Sequence, residues 1–166
     1  MKQILLFLAL FTAASGFAQG EQRKSPHDTL MYDNGNITYG RPYKKGRDIF
    51  GGLEQFGSVW RLGADEATTI TFNKDTKFGG QAVPKGTYTM FAMPMEKEWL
   101  IILNSQLGQW GAFDYEKYKD KDIAGVKVPV KKLDDTVEQL TIRFDNKKNE
   151  MIIEWDKTQV AVPVSY

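Results

Sequence analysis

Along most of the chain apolar and polar residues alternate with period two, the spacing that turns one face of a β-strand to a core and the other to water. In "NITYG" (36–40) Ile37 and Tyr39 share a face, and in "TTITFN" (68–73) Ile70 and Phe72 point inward between Thr69, Thr71 and Asn73. Val126, Val128 and Val130 alternate with Lys127, Pro129 and Lys131, and Leu140, Ile142 and Phe144 with Gln139, Thr141 and Arg143. Met151, Ile153 and Trp155 form one further stripe, and Val160, Val162 and Val164 another. Two segments break the alternation by being apolar on both sides, "GTYTMFAMP" (86–94) and "WLIILN" (99–104). Such strands belong in the middle of a sheet covered on both faces.

The punctuation between these segments is that of an antiparallel fold. "DNGN" (33–36) predicts a hairpin, with Asn34-Gly35 supplying the positive φ angles of a type I′ turn. "FGGQ", "MEKE", "DNKKNE" and "DKTQ" separate further strand pairs. Pro129 and Pro163 fall inside strand patterns. Proline cannot donate to a ladder, so both predict edge strands, and edges argue for an open sandwich over a closed barrel. A short helix is predicted only around "FDYEKYKD" (113–120). The fold class that follows is all-β: a two-sheet antiparallel β-sandwich of about nine short strands with one long structured loop.

The first residues do not join this pattern. "MKQILLFLALFTAASGFAQG" has a positive start at Lys2, an apolar run over 4–11 and small residues at Gly16 and Ala18. This reads as a secretory signal peptide over residues 1–18, too short in its apolar run to span a bilayer well. Residues 19–27 form a polar lead, and 28–166 a single domain. The expected location is therefore periplasmic or secreted, without membrane insertion after cleavage. The chain has no cysteine, which excludes disulfides, thiolate chemistry and a lipid-carrying Cys after the leader. Lys and Arg number 22 against 21 acids, and Lys2 lies in the leader, so the remainder is balanced. That gives no surplus of positive charge for nucleic acid.

Much catalytic chemistry is also missing. The single histidine, His27, sits in the polar lead and reads as solvated, so a zinc site of histidines or thiolates cannot be assembled within the chain. There is no G-x-S-x-G elbow, Walker loop or G-x-G-x-x-G. "DKDIAG" from Asp120 lacks the later ligands of a calcium loop and reads as a charged turn. No metal site and no cofactor are expected.

What stands out is residues 39–69, the longest stretch without alternation. The chain has five arginines against seventeen lysines, yet Arg41, Arg47 and Arg61 all fall here, among Asp48, Asp65, Glu66 and the rings of Tyr39, Tyr43, Phe50 and Trp60. Arginine is the better residue where a planar fork must pair with a carboxylate or stack on a ring. A loop this long in a compact domain is commonly functional. One reading is a polar pocket at one end of the sandwich, with arginines and acids as grips and rings as platforms. The other is that the arginines pair with the acids internally and tie the loop down. "LGQWGAFDY" (107–115) is a second candidate loop, whose Trp110, Phe113 and Tyr115 read as satellite core or, alternatively, as a ring platform.

"YGRPYKKGRDIFGGLEQFGSVWRLGADEATTITF", then "VPKGTYTMFAMP", "EWLIILN" and "QWGAFDY", in that order, resemble a family of secreted bacterial proteins catalogued as domain of unknown function 2911. The resemblance runs from about Ser25 onward and implies an extracytoplasmic single-domain protein. It brings no activity with it. The family pattern usually has Gly-Ala-Asn-Glu where this chain has Gly63-Ala64-Asp65-Glu66. An amide does not titrate, so the resemblance implies that Asp65 is a hydrogen-bonding group and leaves Glu66 as the better charged candidate.

The sequence therefore points to a non-catalytic module binding a polar small molecule or glycan at the 39–66 loop. Arg41 and Arg47 are the expected grips, Tyr43 and Trp60 the platforms, Arg61 and Glu66 an orienting ion pair, and Asp65 a further ligand-binding candidate. The alternatives are a structural or interaction module of the cell envelope, and a carboxylate-dependent hydrolase using Glu66. The hydrolase would need a second carboxylate facing Glu66 across a cleft.

Overall fold

The computed structural model describes residues 23–166. The leader read over 1–18 and the start of the polar lead lie outside them. Ten strands form two antiparallel sheets. The larger holds β1 (His27–Tyr32), β2 (Gly35–Gly40), β3 (Thr69–Phe72), β6 (Gly86–Pro94), β7 (Glu98–Asn104) and β8 (Asp122–Pro129), in the order β1-β2-β3-β6-β7-β8. The smaller holds β4 (Thr76–Phe78), β5 (Gln81–Val83), β9 (Lys131–Asp145) and β10 (Glu150–Ser165), in the order β5-β4-β10-β9. The chain is an all-β sandwich, as the alternation predicts.

The period-two stripes meet between the sheets. Ile37, Tyr39, Ile70, Phe72, Val126 and Val128 from the larger sheet pack against Leu140, Ile142, Met151, Ile153, Trp155 and the three valines of β10. The doubly apolar segments are interior strands, β6 and β7. Met90, Ala92, Ile101 and Leu103 face the main core, while Phe91 and Ile102 face outward and are covered by Ala67 and Tyr115. Tyr115 opens the single-turn helix α1 (Tyr115–Tyr118) and sets its ring edge-on to Phe91 at 5.2 Å.

Four expectations change in detail. The β1–β2 hairpin turns on Asp33-Asn34, with Tyr32 opposite Gly35, and neither turn residue has a positive φ. Asn34 is fully buried and donates from Nδ2 to Thr76 Oγ1 at 2.8 Å, so the hairpin tip is a packed plug and not a free type I′ turn. Pro129 does lie in an edge strand, β8, whereas Pro163 lies in β10, which has neighbours on both sides. Pro163 is tolerated because β4 ends at Phe78: Gly79 N still donates to Pro163 O at 2.7 Å, and no ladder donor is needed beyond it. Third, β10 contains two of the predicted strands. Its 16 residues would span roughly 50 Å if straight, yet Val164 N donates to Asn149 O at 2.8 Å. The chain reverses at Asp156 (φ 54), so the "DKTQ" segment is a hairpin turn.

The fourth change concerns the edges. Gln81 of β5 donates from Nε2 to Gly125 O on β8 at 2.7 Å and accepts from Gly125 N at 3.3 Å. On the opposite side the chain leaving β2 pairs with β9: Leu140 N donates to Pro42 O and Lys44 N to Glu138 O, at 3.0 and 2.7 Å. The sandwich is therefore stitched along both sides, and the second seam positions the long loop.

Candidate functional site

Residues 41–68 cross one end of the sandwich from β2 to β3, pinned by isolated bridges of Tyr43 with Gln139, Trp60 with Ala92, and Glu66 with Trp110. Trp60 exchanges both backbone bonds with Ala92, at 2.7 and 2.9 Å. Its ring is 3% exposed and joins a box of rings with Phe50, Trp99 and Trp155 at centroid distances of 5.8–6.1 Å. Trp60 is thus a core residue and cannot serve as a platform. The reason is that the loop starts on an apolar seat: Ile49 and Phe50 fold in with it.

After Trp60 the corner is tight. Leu62 (φ 54) and Asp65 (φ 64) adopt the left-handed conformation that non-glycine residues take only when their surroundings enforce it. The enforcing bonds are Thr68 Oγ1 to Leu62 O at 2.9 Å, Trp60 Nε1 to Gly63 O at 3.1 Å and Gly111 N to Asp65 O at 3.0 Å. The corner also lies directly on Gly40, where a Cβ would meet Ala64 O at 2.2 Å.

This geometry sets Arg61 and Asp65 in the wall of a cavity of about 420 Å³, together with Tyr43, Arg47, Glu54 and Trp155. Arg61 Nε and Asp65 Oδ2 are both buried, and neither has a hydrogen-bond partner among the described residues. Arg47 is held in place by neutral groups: its Nε donates to Lys44 O at 2.9 Å and its Nη2 to Tyr43 O. Glu54 is placed by its backbone, whose N donates to Ile49 O and whose O accepts from Gly51 N, both at 2.8 Å. Burial pushes the Glu54 carboxyl up to about 7, with Arg61 and Arg47 pulling the other way. The side chain therefore holds a proton over part of the neutral range.

That raised value fixes a sign. The folded state holds the Glu54 proton more tightly than the unfolded chain, so stability falls as pH rises from about 4.5 through about 7. Glu54→Gln removes the penalty. It is expected to raise the melting temperature at pH 8 and to leave it nearly unchanged at pH 5, read by thermal denaturation of both proteins across that range.

The cavity gathers four of the predicted residues, Tyr43, Arg47, Arg61 and Asp65, and leaves three outside. Arg41 belongs to the seam: it donates to Leu140 O, Asp28 Oδ2 and Thr141 Oγ1, each at 3.1 Å. Trp60 is in the core. Glu66 faces away from Arg61 and pairs with Arg23, whose Nε lies 3.0 Å from Oε1, and with His27, whose Nε2 lies 3.7 Å from Oε2. The left-handed turn at Asp65 sends the two neighbouring acids to different sides of the corner, which separates the expected Arg61–Glu66 pair. Hydrogen bonding to Arg23 holds the Glu66 carboxyl below its ordinary value, and Glu66 faces Arg23 and His27 where the hydrolase reading needs a second acid. His27 is likewise not solvated: it begins β1, and its Nδ1 is buried.

Glu54 is the residue the sequence reading missed. Its one signal was that it is the only acid between Asp48 and Asp65. The 107–115 loop also differs from expectation: Tyr115 is buried, but Trp110 and Phe113 are 42% and 82% exposed. A larger cavity of about 650 Å³ is lined by Phe56 and Trp99, whose buried Nε1 has no partner among the described residues.

A family model described as a protein of unknown function (DUF2911) matches residues 25–164. The chain belongs to this family. The matched span runs from before β1 to the penultimate residue of β10, so every strand of the DUF2911 sandwich and every residue lining the cavity except Lys24 falls within it. No curated protein and no solved structure matches this DUF2911 chain.

Proposed function

We propose that the protein is an exported, non-catalytic binding protein for a polar small molecule or glycan unit, seated in the cavity beside Arg61. The export half of this reading rests on the leader pattern over 1–18. The binding half rests on one observation: Arg61 and Asp65 line the same cavity, and their buried Nε and Oδ2 have no partner among the described residues. Buried polar groups are nearly always paired, and leaving one unpaired costs about 1–3 kcal/mol, more for a charged group. A ligand hydroxyl can accept from Arg61 and donate to Asp65, which removes both costs at once.

A thermal-shift panel of sugars, sugar acids and small carboxylic acids tests the reading. The expected result is a ligand that stabilises the wild-type protein and loses at least about tenfold in affinity in Arg61→Ala. Stabilisation that survives Arg61→Ala, or no ligand in a broad panel, would refute it.

The exposed rings of Trp110 and Phe113 favour a second reading, an interaction module. It predicts that Trp110→Ser with Phe113→Ser releases the protein from isolated envelope fractions while Arg61→Ala does not. Release by neither would dispose of it.

A further inference from the structure

We infer that the occupant of the Arg61 cavity is a small hydroxy-carboxylate, gripped at its carboxylate by Arg61 and Arg47, at a hydroxyl by Asp65, and at a further oxygen by Glu54 acting as a hydrogen-bond donor. This deepens the binding reading and rests on it.

The first ground is charge. Lys24, Lys45, Arg47 and Arg61 line the cavity against only Glu54 and Asp65. The bonds that Arg47 makes go to carbonyl oxygens, so its charge is positioned but not neutralised. A neutral sugar would leave that excess standing. A carboxylate presents two coplanar acceptors, the shape a guanidinium fork matches.

The second ground is Asp65. Its buried Oδ2 needs a donor, which a simple carboxylate lacks and a hydroxyl near the carboxylate supplies.

The third is Glu54, which stands beside the same two arginines. Ionised, it would repel an incoming carboxylate; protonated, it donates its O–H to a ligand oxygen. Since burial already brings this group to about 7, an anion arriving beside it makes protonation easier still, and binding above that pH takes up a proton. The charged and titratable groups around Glu54 are Arg47, Arg61, Tyr43, Lys45, Lys24 and Asp65. Behind them Glu138 accepts from Lys45 N at 2.8 Å and Asp156 pairs with Lys44 at 3.3 Å. Arg23, His27 and Glu66 pair with one another, and Arg23 also feels the charge of Asp65. Histidine is the other residue type that ordinarily titrates near neutrality, so a Glu54 variant is needed to assign the proton.

The test is calorimetric titration of the full chain with D-glucuronate, lactate, D-glucose and acetate at about pH 6 and about pH 8, one unit either side of the Glu54 midpoint. Glucuronate and lactate separate a sugar acid from a free hydroxy acid. At least one of the two is expected to bind at least about tenfold more tightly than glucose and acetate. Its affinity is expected to fall about tenfold from the lower pH to the higher, and this ratio to collapse to about one in Glu54→Gln. Glucose binding as tightly as glucuronate in an Arg61-dependent way would overturn the inference and leave the binding reading standing. A pH ratio that persists in Glu54→Gln, or no binding of either hydroxy acid, would also overturn it. The binding reading itself falls only with the wider panel.

Discussion

Trp60→Ala is expected to cost about 4 kcal/mol of unfolding free energy and to lower the melting temperature by roughly 10–15 °C. The ring is closed in by Phe50, Trp99 and Trp155, and alanine would leave a hole that the β6 and β10 backbones cannot collapse to fill. Those neighbours are themselves core: Trp99 and Trp155 are each 1% exposed. Denaturant titration measures the cost. A loss under about 1 kcal/mol would mean that the ring is a surface group after all, as its place in a polar loop first led us to expect. The loss should exceed that of any single arginine substitution in the loop, because Arg41 and Arg47 are held by hydrogen bonds near the surface, Arg61 lines a cavity, and Trp60 is held by a core.

Gly40→Ala is expected to cost about 3 kcal/mol, for a different reason. The added Cβ would meet Ala64 O at 2.2 Å and Ala64 C at 2.9 Å. Both are backbone atoms of a corner already fixed by bonds to Trp60 and Thr68, so nothing flexible can yield. The corner must lift, and Arg61 and Asp65 move with it. The variant should therefore lose ligand binding as well as stability. Gly46→Ala provides the comparison: Gly46 has φ 71 but open space around its Cβ position, so only the conformational cost applies, about 1–2 kcal/mol. Equal losses in the two variants would show that close approach at Gly40 is not what matters.

How much of this could be read in advance depends on the range of the interaction concerned. Period-two alternation is local, and it placed Ile37, Ile70, Val126, Leu140 and Val160 facing inward without reference to any partner strand. The doubly apolar runs at 86–94 and 99–104 gave two interior strands for the same reason. The hairpin at Asp33-Asn34 was visible as a turn but not in its register, because the register is set by Asn34 reaching Thr76, 42 residues away. The clustering of arginines was a sound pointer to the place of the cavity. It could not sort them: Arg41 is taken by β1 and β9, and Glu66 by a lead residue, Arg23. Such partners are assigned by the fold, and alternation carries no trace of them. Glu54 was passed over because an acid between a leucine and a glutamine has no local mark. It gains its character only when the turn formed by 48–54 buries it beside Arg47 and Arg61.

The order of the smaller sheet, β5-β4-β10-β9, has a consequence for how the protein is made. β4 and β5 lie midway along the chain, yet the strand that joins them to the rest of the smaller sheet is β10, through Val164 and Ser165. Until those residues have been synthesised, the larger sheet has no complete opposing layer. A ribosome-bound chain therefore cannot close its core. Contacts this distant in sequence make folding late and all at once.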